Sequence, residues 1–207
     1  MTIGLLAASL TLMSSPIDDP VPAATAARAG LKGCGPVAEA LARLPDSSWA
    51  PQPSRLPEHR ALRSALNAPM PEAPTQIRFY ATGGHLADYW YSIVLTRDAV
   101  GLWSGTEVGR SRLWGKDAPI QPTSRRAWTL SIEDGRAVDS ILADPCFYAE
   151  PTSGWYDPAG GPPPPSVFTI TFETITPERS RQTHFPGGGA KGRTGDLFAL
   201  IMPKHPG

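Results

Sequence analysis

Residues 89–108 read YWYSIVLTRDAVGLWSGTEV, and this stretch decides the fold. The runs 89–96 and 100–108 are rich in aromatic and β-branched residues, which is typical of strands. Asp98-Ala99 lies between the two runs and predicts a tight turn. The stretch therefore predicts a β-hairpin.

Four further segments carry strand signals on either side of this hairpin. They are residues 76–81, 128–130, 167–175 and 179–185. Gly83-Gly84 interrupts the chain after the first of them, and Thr176-Pro177-Glu178 predicts a turn between the last two. Short turns of this kind indicate antiparallel pairing, because parallel strands need a long crossover connection.

One long helix is predicted over residues 132–144. Ser131 and Asp134 have the spacing of a capping box, in which the serine accepts a hydrogen bond from the first turn. Val138, Ile141 and Leu142 then fall on one face of the helix. The predicted class is α+β: an antiparallel β-sheet with one main helix packed on a face, short N-terminal helices and a short C-terminal helix.

The chain divides by composition into three regions. Residues 1–26 are predicted to be a signal peptide, residues 27–74 an Ala/Pro-rich helical wrap, and residues 75–207 the sheet-plus-helix domain. Within the wrap, one helix is predicted to open at Gly35-Pro36, where proline suits a first helical turn. A second is predicted over residues 57–67.

The order of these elements resembles that of emfourin-type protease inhibitors and related small secreted bacterial domains. The residues that carry the resemblance are Gly83-Gly84, 91–98 with Gly101, 130–142 and 168–172. They span most of residues 76–202. The resemblance implies an inhibitor-like protein that acts on another protein. The N-terminal helices, a proline-rich spacer at 160–165 and a glycine-rich loop at 187–195 lie outside the shared pattern.

The N-terminus predicts export. Residues 3–13 are apolar over the length of a signal-peptide core, and they are too few to cross a bilayer. Ala24 and Ala26 place small residues at the −3 and −1 positions, so cleavage is predicted after Ala26. The first basic residue is Arg28, which is late for a leader; the alternative is an apolar element that packs within the fold. The predicted location is periplasmic or secreted, with no integral membrane segment after cleavage.

The two cysteines, Cys34 and Cys146, are predicted to form a disulfide, as suits an oxidising compartment. Two cysteines are too few for a cysteine-based zinc site. Two alternatives remain. The thiols could be buried and unpaired. Alternatively, Cys34 could be lipidated within Leu31-Lys32-Gly33-Cys34, although Lys32 beside the cysteine argues against a lipobox.

Charge and composition exclude some partners. The chain has 19 basic and 19 acidic residues, so its formal net charge is zero and it lacks the electrostatic footprint of a nucleic-acid-binding protein. Its 24 prolines and 20 glycines predict short elements joined by stiff, irregular connections.

No catalytic residue, metal site or cofactor is predicted. Residues 187–194 approach the phosphate-binding loop G-x-x-x-x-G-K-[ST], but Arg193 stands where the lysine is required. The histidines are His59, His85, His184 and His205, and none pairs with another at metal-ligand spacing. His85 beside Asp88 could act as a base and its orienting acid, but His85 follows Gly-Gly in a predicted solvated loop.

The predicted hairpin register brings aromatic residues to one face of the sheet. A two-residue loop places Val94 opposite Trp103 and Trp90 opposite Glu107. Uncovered, this aromatic face would suit a peptide, a protein partner or a sugar ring; the alternative is that the N-terminal helices cover it.

Two functions from different classes follow. The favoured prediction is an exported, non-catalytic and inhibitor-like binding module that acts on a protein or peptide partner. The alternative is a small extracytoplasmic enzyme, a hydrolase whose catalytic residues the sequence does not identify.

Overall fold

A computed structural model describes residues 20–84, 87–114, 117–153, 168–186 and 190–202. Its centre is a six-stranded antiparallel sheet in the order β4-β3-β2-β1-β5-β6. The strands are β1 Gln76–Gly83, β2 Ala87–Arg97, β3 Trp103–Leu113, β4 Gln121–Thr129, β5 Thr169–Ile175 and β6 Ser180–Pro186. The predicted α+β class is confirmed.

Six α-helices and one short 3-10 helix surround the sheet in the described residues. The α-helices are α1 Pro20–Gly30, α2 Pro36–Leu41, α3 Leu56–Ala65, α4 Ile132–Ala143, α5 Pro145–Ala149 and α6 Gly192–Ile201; the 3-10 helix is Asp46–Trp49. The segment 3–13, the spacer 160–165, His85, His205 and the glycines 187–189 lie outside the described residues. The predicted glycine-rich loop 187–195 is shorter than expected, because α6 already begins at Gly192.

The β2–β3 connection differs from the prediction. The carboxylate of Asp98 accepts hydrogen bonds from the amides of Val100 and Leu102, and Gly101 has φ 90 in the left-handed region. These bonds organise a five-residue loop instead of a two-residue turn. Leu95 therefore pairs with Gly105, and the predicted register is wrong by three residues.

Helix α4 forms where the sequence predicted it. Ser131 is the N-cap, and its hydroxyl accepts a hydrogen bond of 3.0 Å from the amide of Asp134. Val138, Ile141 and Leu142 are buried on the side that faces the sheet. The predicted helix, its cap and its apolar face are confirmed.

Helices α4 and α6 cover one face of the sheet, here termed the α4 face. Asp139 of α4 accepts hydrogen bonds from the Trp103 indole at 3.0 Å and from the Arg97 guanidinium. Phe198 of α6 packs on Phe79, with ring centroids 5.5 Å apart. The main hydrophobic core lies on this face.

Helix α3 covers part of the opposite face, here termed the α3 face. His59 stacks on Tyr80 of β1, and Arg63 donates hydrogen bonds to Ser92 of β2 and Thr106 of β3. The predicted second N-terminal helix is thus present and packs on the sheet.

The N-terminal segments are fastened to the rest of the fold near α5. Cys34 and Cys146 form the predicted disulfide, which closes a loop across 112 residues. The Trp49 indole donates a hydrogen bond to the carbonyl of Ala149. Helix α1 spans the predicted cleavage point after Ala26, and Ala24 is buried in the core.

Candidate binding surface at the β4 edge

The four residues of the predicted aromatic face lie on two faces. Trp103 and Glu107 are on the α4 face, whereas Trp90 and Val94 are on the α3 face, because the true register differs from the predicted one. Trp103 is 0% exposed and Val94 is also buried. The predicted single surface of Trp90, Val94, Trp103 and Glu107 does not form.

Helix α4 covers Trp103 on the α4 face. A Cβ added to Gly135 of α4 would lie 3.4 Å from the Trp103 ring, which shows how closely the helix approaches. The partner of Trp103 is the carboxylate of Asp139 within the same chain. Trp103 therefore packs as a core residue, and an external ligand cannot reach it.

A serine–histidine pair exists, but it is closed to substrate. Nε2 of His59 lies 2.5 Å from the Ser92 hydroxyl oxygen, to which Arg63 also donates at 2.9 Å. Burial first, and then the charges of Arg63 and Arg78, lower the pKa of His59 to about 3. Ser92 and His59 are both buried, so the pair is a packed polar contact between α3 and β2.

A second buried polar cluster holds the N-terminus of α6. The carboxylate of Glu150 accepts hydrogen bonds from the amides of Arg193 and Thr194 and from the Thr194 hydroxyl. Burial raises the pKa of Glu150, although these hydrogen bonds and the charge of Arg181 oppose the shift. The Glu150 carboxylate thus lies at the N-terminus of α6, which is where a phosphate-binding loop would hold its phosphate.

The described ranges contain neither a metal-ligand cluster nor a helix that could span a membrane. No three His, Cys, Asp or Glu side chains converge there as a cation site would require. No described helix combines the length and apolarity that a bilayer-spanning segment needs.

The most exposed regular element is β4. It is the last strand of the sheet, and no other strand in the described part of the chain pairs with its outer edge. Most of its side chains are exposed, including those of Arg125 and Arg126. Backbone donors and acceptors on such an edge are free to pair with another extended chain.

An apolar tip adjoins this edge. Leu113, Trp114 and Ile120, in and beside the connection from β3 to β4, are 68%, 65% and 49% exposed. The Trp114 indole is held by a hydrogen bond of 3.1 Å to Asp88, which also pairs with Arg112. A fixed and exposed tryptophan is the kind of side chain that anchors protein interfaces.

Arginines dominate the charge around the edge and the tip. Arg110 and Arg112 of β3 lie over the Trp90 ring, at 5.1 and 5.9 Å from its centroid, and β4 adds Arg125 and Arg126. The β4 edge and the exposed residues of the tip are together termed the β4 surface.

The sequence signal for this surface was missed. The prediction placed a strand at 128–130 alone, whereas β4 begins at Gln121. A strand exposed on both faces has no apolar alternation, and QPTSRRAWT shows none. The exposed Leu113 and Trp114 directly before such a polar stretch were the available clue.

Comparisons with known proteins found no matching family model, no matching curated protein and no matching solved structure.

Proposed function

We propose that this protein is an exported, non-catalytic binding module that receives an extended acidic segment of a partner protein along the β4 surface. The observation that carries the proposal is the nine-residue strand β4, whose outer edge pairs with no described strand and which carries two arginines, beside an exposed tryptophan.

The backbone of β4 supplies the means of attachment. An extended segment that adds to a sheet edge gains main-chain hydrogen bonds, while side-chain pockets set its specificity. Ile120 directly precedes β4 and offers apolar contact to one end of the added segment, and Trp114 lies at the same end of the sheet with its indole hydrogen-bonded to Asp88 of β2. Such contact supports recognition of a particular partner in addition to general strand pairing.

Charge decides which extended segment is favoured. If two β4 strands paired in a register that sets Arg125 and Arg126 opposite the same residues of a second copy, the like charges across the pair would be destabilising. An acidic segment instead gains attraction from these arginines. The β4 surface thus opposes self-association and favours an acidic partner.

The disulfide supports the exported location. Cys34 and Cys146 are bonded, and bonds of this kind persist in oxidising compartments such as the periplasm or the extracellular space. An inhibitor-like role, as the emfourin resemblance implies, is compatible with a strand-binding edge because a protease presents extended segments of its own.

The test uses a short acetylated and amidated peptide of alternating glutamate and valine. We expect it to bind the disulfide-bonded protein and to slow hydrogen exchange at the amides of β4, and a lysine–valine peptide of equal length to bind much more weakly. Arg126→Gln should weaken binding several-fold, and Trp114→Ala about tenfold.

Arg136→Gln is the matched control, because Arg136 is an exposed arginine on α4, outside the β4 surface. Equal binding of the two peptides, or protection confined to elements other than β4, would contradict the proposal.

A further inference from the structure

A cavity of about 380 Å³ lies between the segment that follows α3 and strands β3 and β4. Pro69, Pro71 and Val108 contribute apolar walls, and three arginines line it together with a single acid, Glu107. The volume is at the lower end of the range for small-ligand pockets, about 300–1,000 Å³. The cavity combines apolar walls with an excess of positive charge.

Arg63 carries a buried charge at this cavity. The residue is 2% exposed, and its guanidinium donates to the carbonyl of Ala68, the hydroxyls of Ser92 and Thr106, and the carbonyl of Thr106. All of these acceptors are neutral oxygens, and no carboxylate of the described residues forms an ion pair with Arg63. A buried charge without a counter-ion is unfavourable.

Arg125 adds a second positive charge on the same side. Its guanidinium donates to the carbonyls of Leu66 and Asn67, just beyond the end of α3. Burial first, and then the charge of the nearby Arg125, lower the pKa of Arg63 to about 10.

Glu107 does not offset these two charges. It lies opposite Arg126 in the strand register, on the α4 face, whereas Thr106 and Val108 point to the α3 face. Glu107 therefore lies on the other face of the sheet from Arg125 and from Ser92 and Thr106, the side chains that Arg63 contacts.

We infer that this cavity binds a small organic carboxylate with an apolar body, its carboxylate against Arg63 and Arg125 and its body against the proline and valine walls. Guanidinium groups match carboxylates in geometry and charge, so the anion supplies the missing counter-ion. The inference goes beyond the proposed function, because a free acid in solution occupies this cavity without any strand added to β4.

The probe is phenylacetate, with its uncharged isostere phenylacetamide as the comparison. We expect phenylacetate to bind in the millimolar range, as suits so small a ligand, and the amide to bind at least about tenfold more weakly. Chemical-shift changes in two-dimensional NMR spectra should concentrate on residues 67–71 and on strands β3 and β4.

Two variants test separately the positive charge and the free volume of the cavity. Arg125→Gln removes one cation and should weaken phenylacetate binding about tenfold, and Ala127→Trp should block the cavity with both cations retained. Arg60→Gln, an exposed arginine of α3 that does not line the cavity, is the control and should leave binding unchanged.

The inference would be overturned if phenylacetate and phenylacetamide bound equally well or if phenylacetate did not bind. It would also be overturned if Ala127→Trp bound phenylacetate as well as the wild type does. Because phenylacetate is not an extended peptide, it can bind even if the glutamate–valine peptide does not, and the peptide can bind even if phenylacetate does not. The two proposals therefore stand or fall separately.

Discussion

Acidification from about pH 7 to pH 5 should destabilise this fold through His59. The ring is buried against Tyr80, with centroids 5.4 Å apart, and contacts the Ser92 hydroxyl. Burial first, and then the charges of Arg63 and Arg78, lower the pKa of His59 to about 3. The folded protein therefore holds His59 neutral at a pH where the unfolded chain takes up a proton.

The sign and size of this loss of stability follow from the linkage between protonation and folding. An unfolded histidine titrates near 6.5 and the folded one near 3, so the contribution to stability is full above 6.5 and is lost as the pH falls towards 3. Between pH 7 and pH 5 the loss is about 2 kcal/mol. That loss is a sizeable part of the 5–15 kcal/mol, roughly, that holds a typical domain together.

Urea unfolding of the wild type and of His59→Gln, at both pH values, measures this contribution. Glutamine does not titrate and can still form a hydrogen bond with Ser92. The carboxyl groups and the other histidines are the same in both proteins, so their contributions to the pH dependence cancel in the comparison. The wild type should lose about 2 kcal/mol more than the variant. An equal loss in the two proteins would refute the reasoning, whatever the variant's stability at neutral pH.

Two further predictions concern the covalent link and the main helix. Replacing Cys34 and Cys146 by serine should lower the free energy of unfolding by about 5 kcal/mol in the chain-entropy model, since the bond spans 112 residues; an unchanged urea midpoint would argue against that role. Ser131→Ala should cost about 1 kcal/mol through loss of the cap, and Leu142→Ala about 2–5 kcal/mol through a core cavity. Thermal unfolding of Ser131→Ala and Leu142→Ala measures these losses. Ser140→Ala, at an exposed position of α4, is the control and should change the unfolding temperature little.

Local signals were the predictable part of this fold. Ser131 and the apolar face of α4 lie within one helix, so spacing along the chain was enough to place them. The β5–β6 hairpin was equally accessible, because Thr176 and Arg179, which are near neighbours in the chain, close its turn by one backbone hydrogen bond and by bonds of the Thr176 hydroxyl.

Apart from the disulfide, which the count of two cysteines predicted, features that join distant segments were not predictable from pattern. The β2–β3 register depends on how the Asp98 side chain bonds to the loop amides, and a three-residue shift moves Trp103 to the other face relative to Trp90. His59 and Ser92 are 33 residues apart, so their contact has no signature in spacing. The cavity at Arg63 likewise forms only when α3 lies on the sheet.

The strand order has a consequence for the folding chain. β1 lies inside the sheet, between β2 and β5, although β5 follows β1 by about 90 residues. Strands that are close in the chain pair before strands that must close a long loop, so β1 meets β2 before it meets β5. During that interval the β1–β4 meander can form through its short connections, but Ile77 and Phe79 border an unpaired edge. The folding protein is then most open to wrong strand pairing, at a place that the finished fold buries.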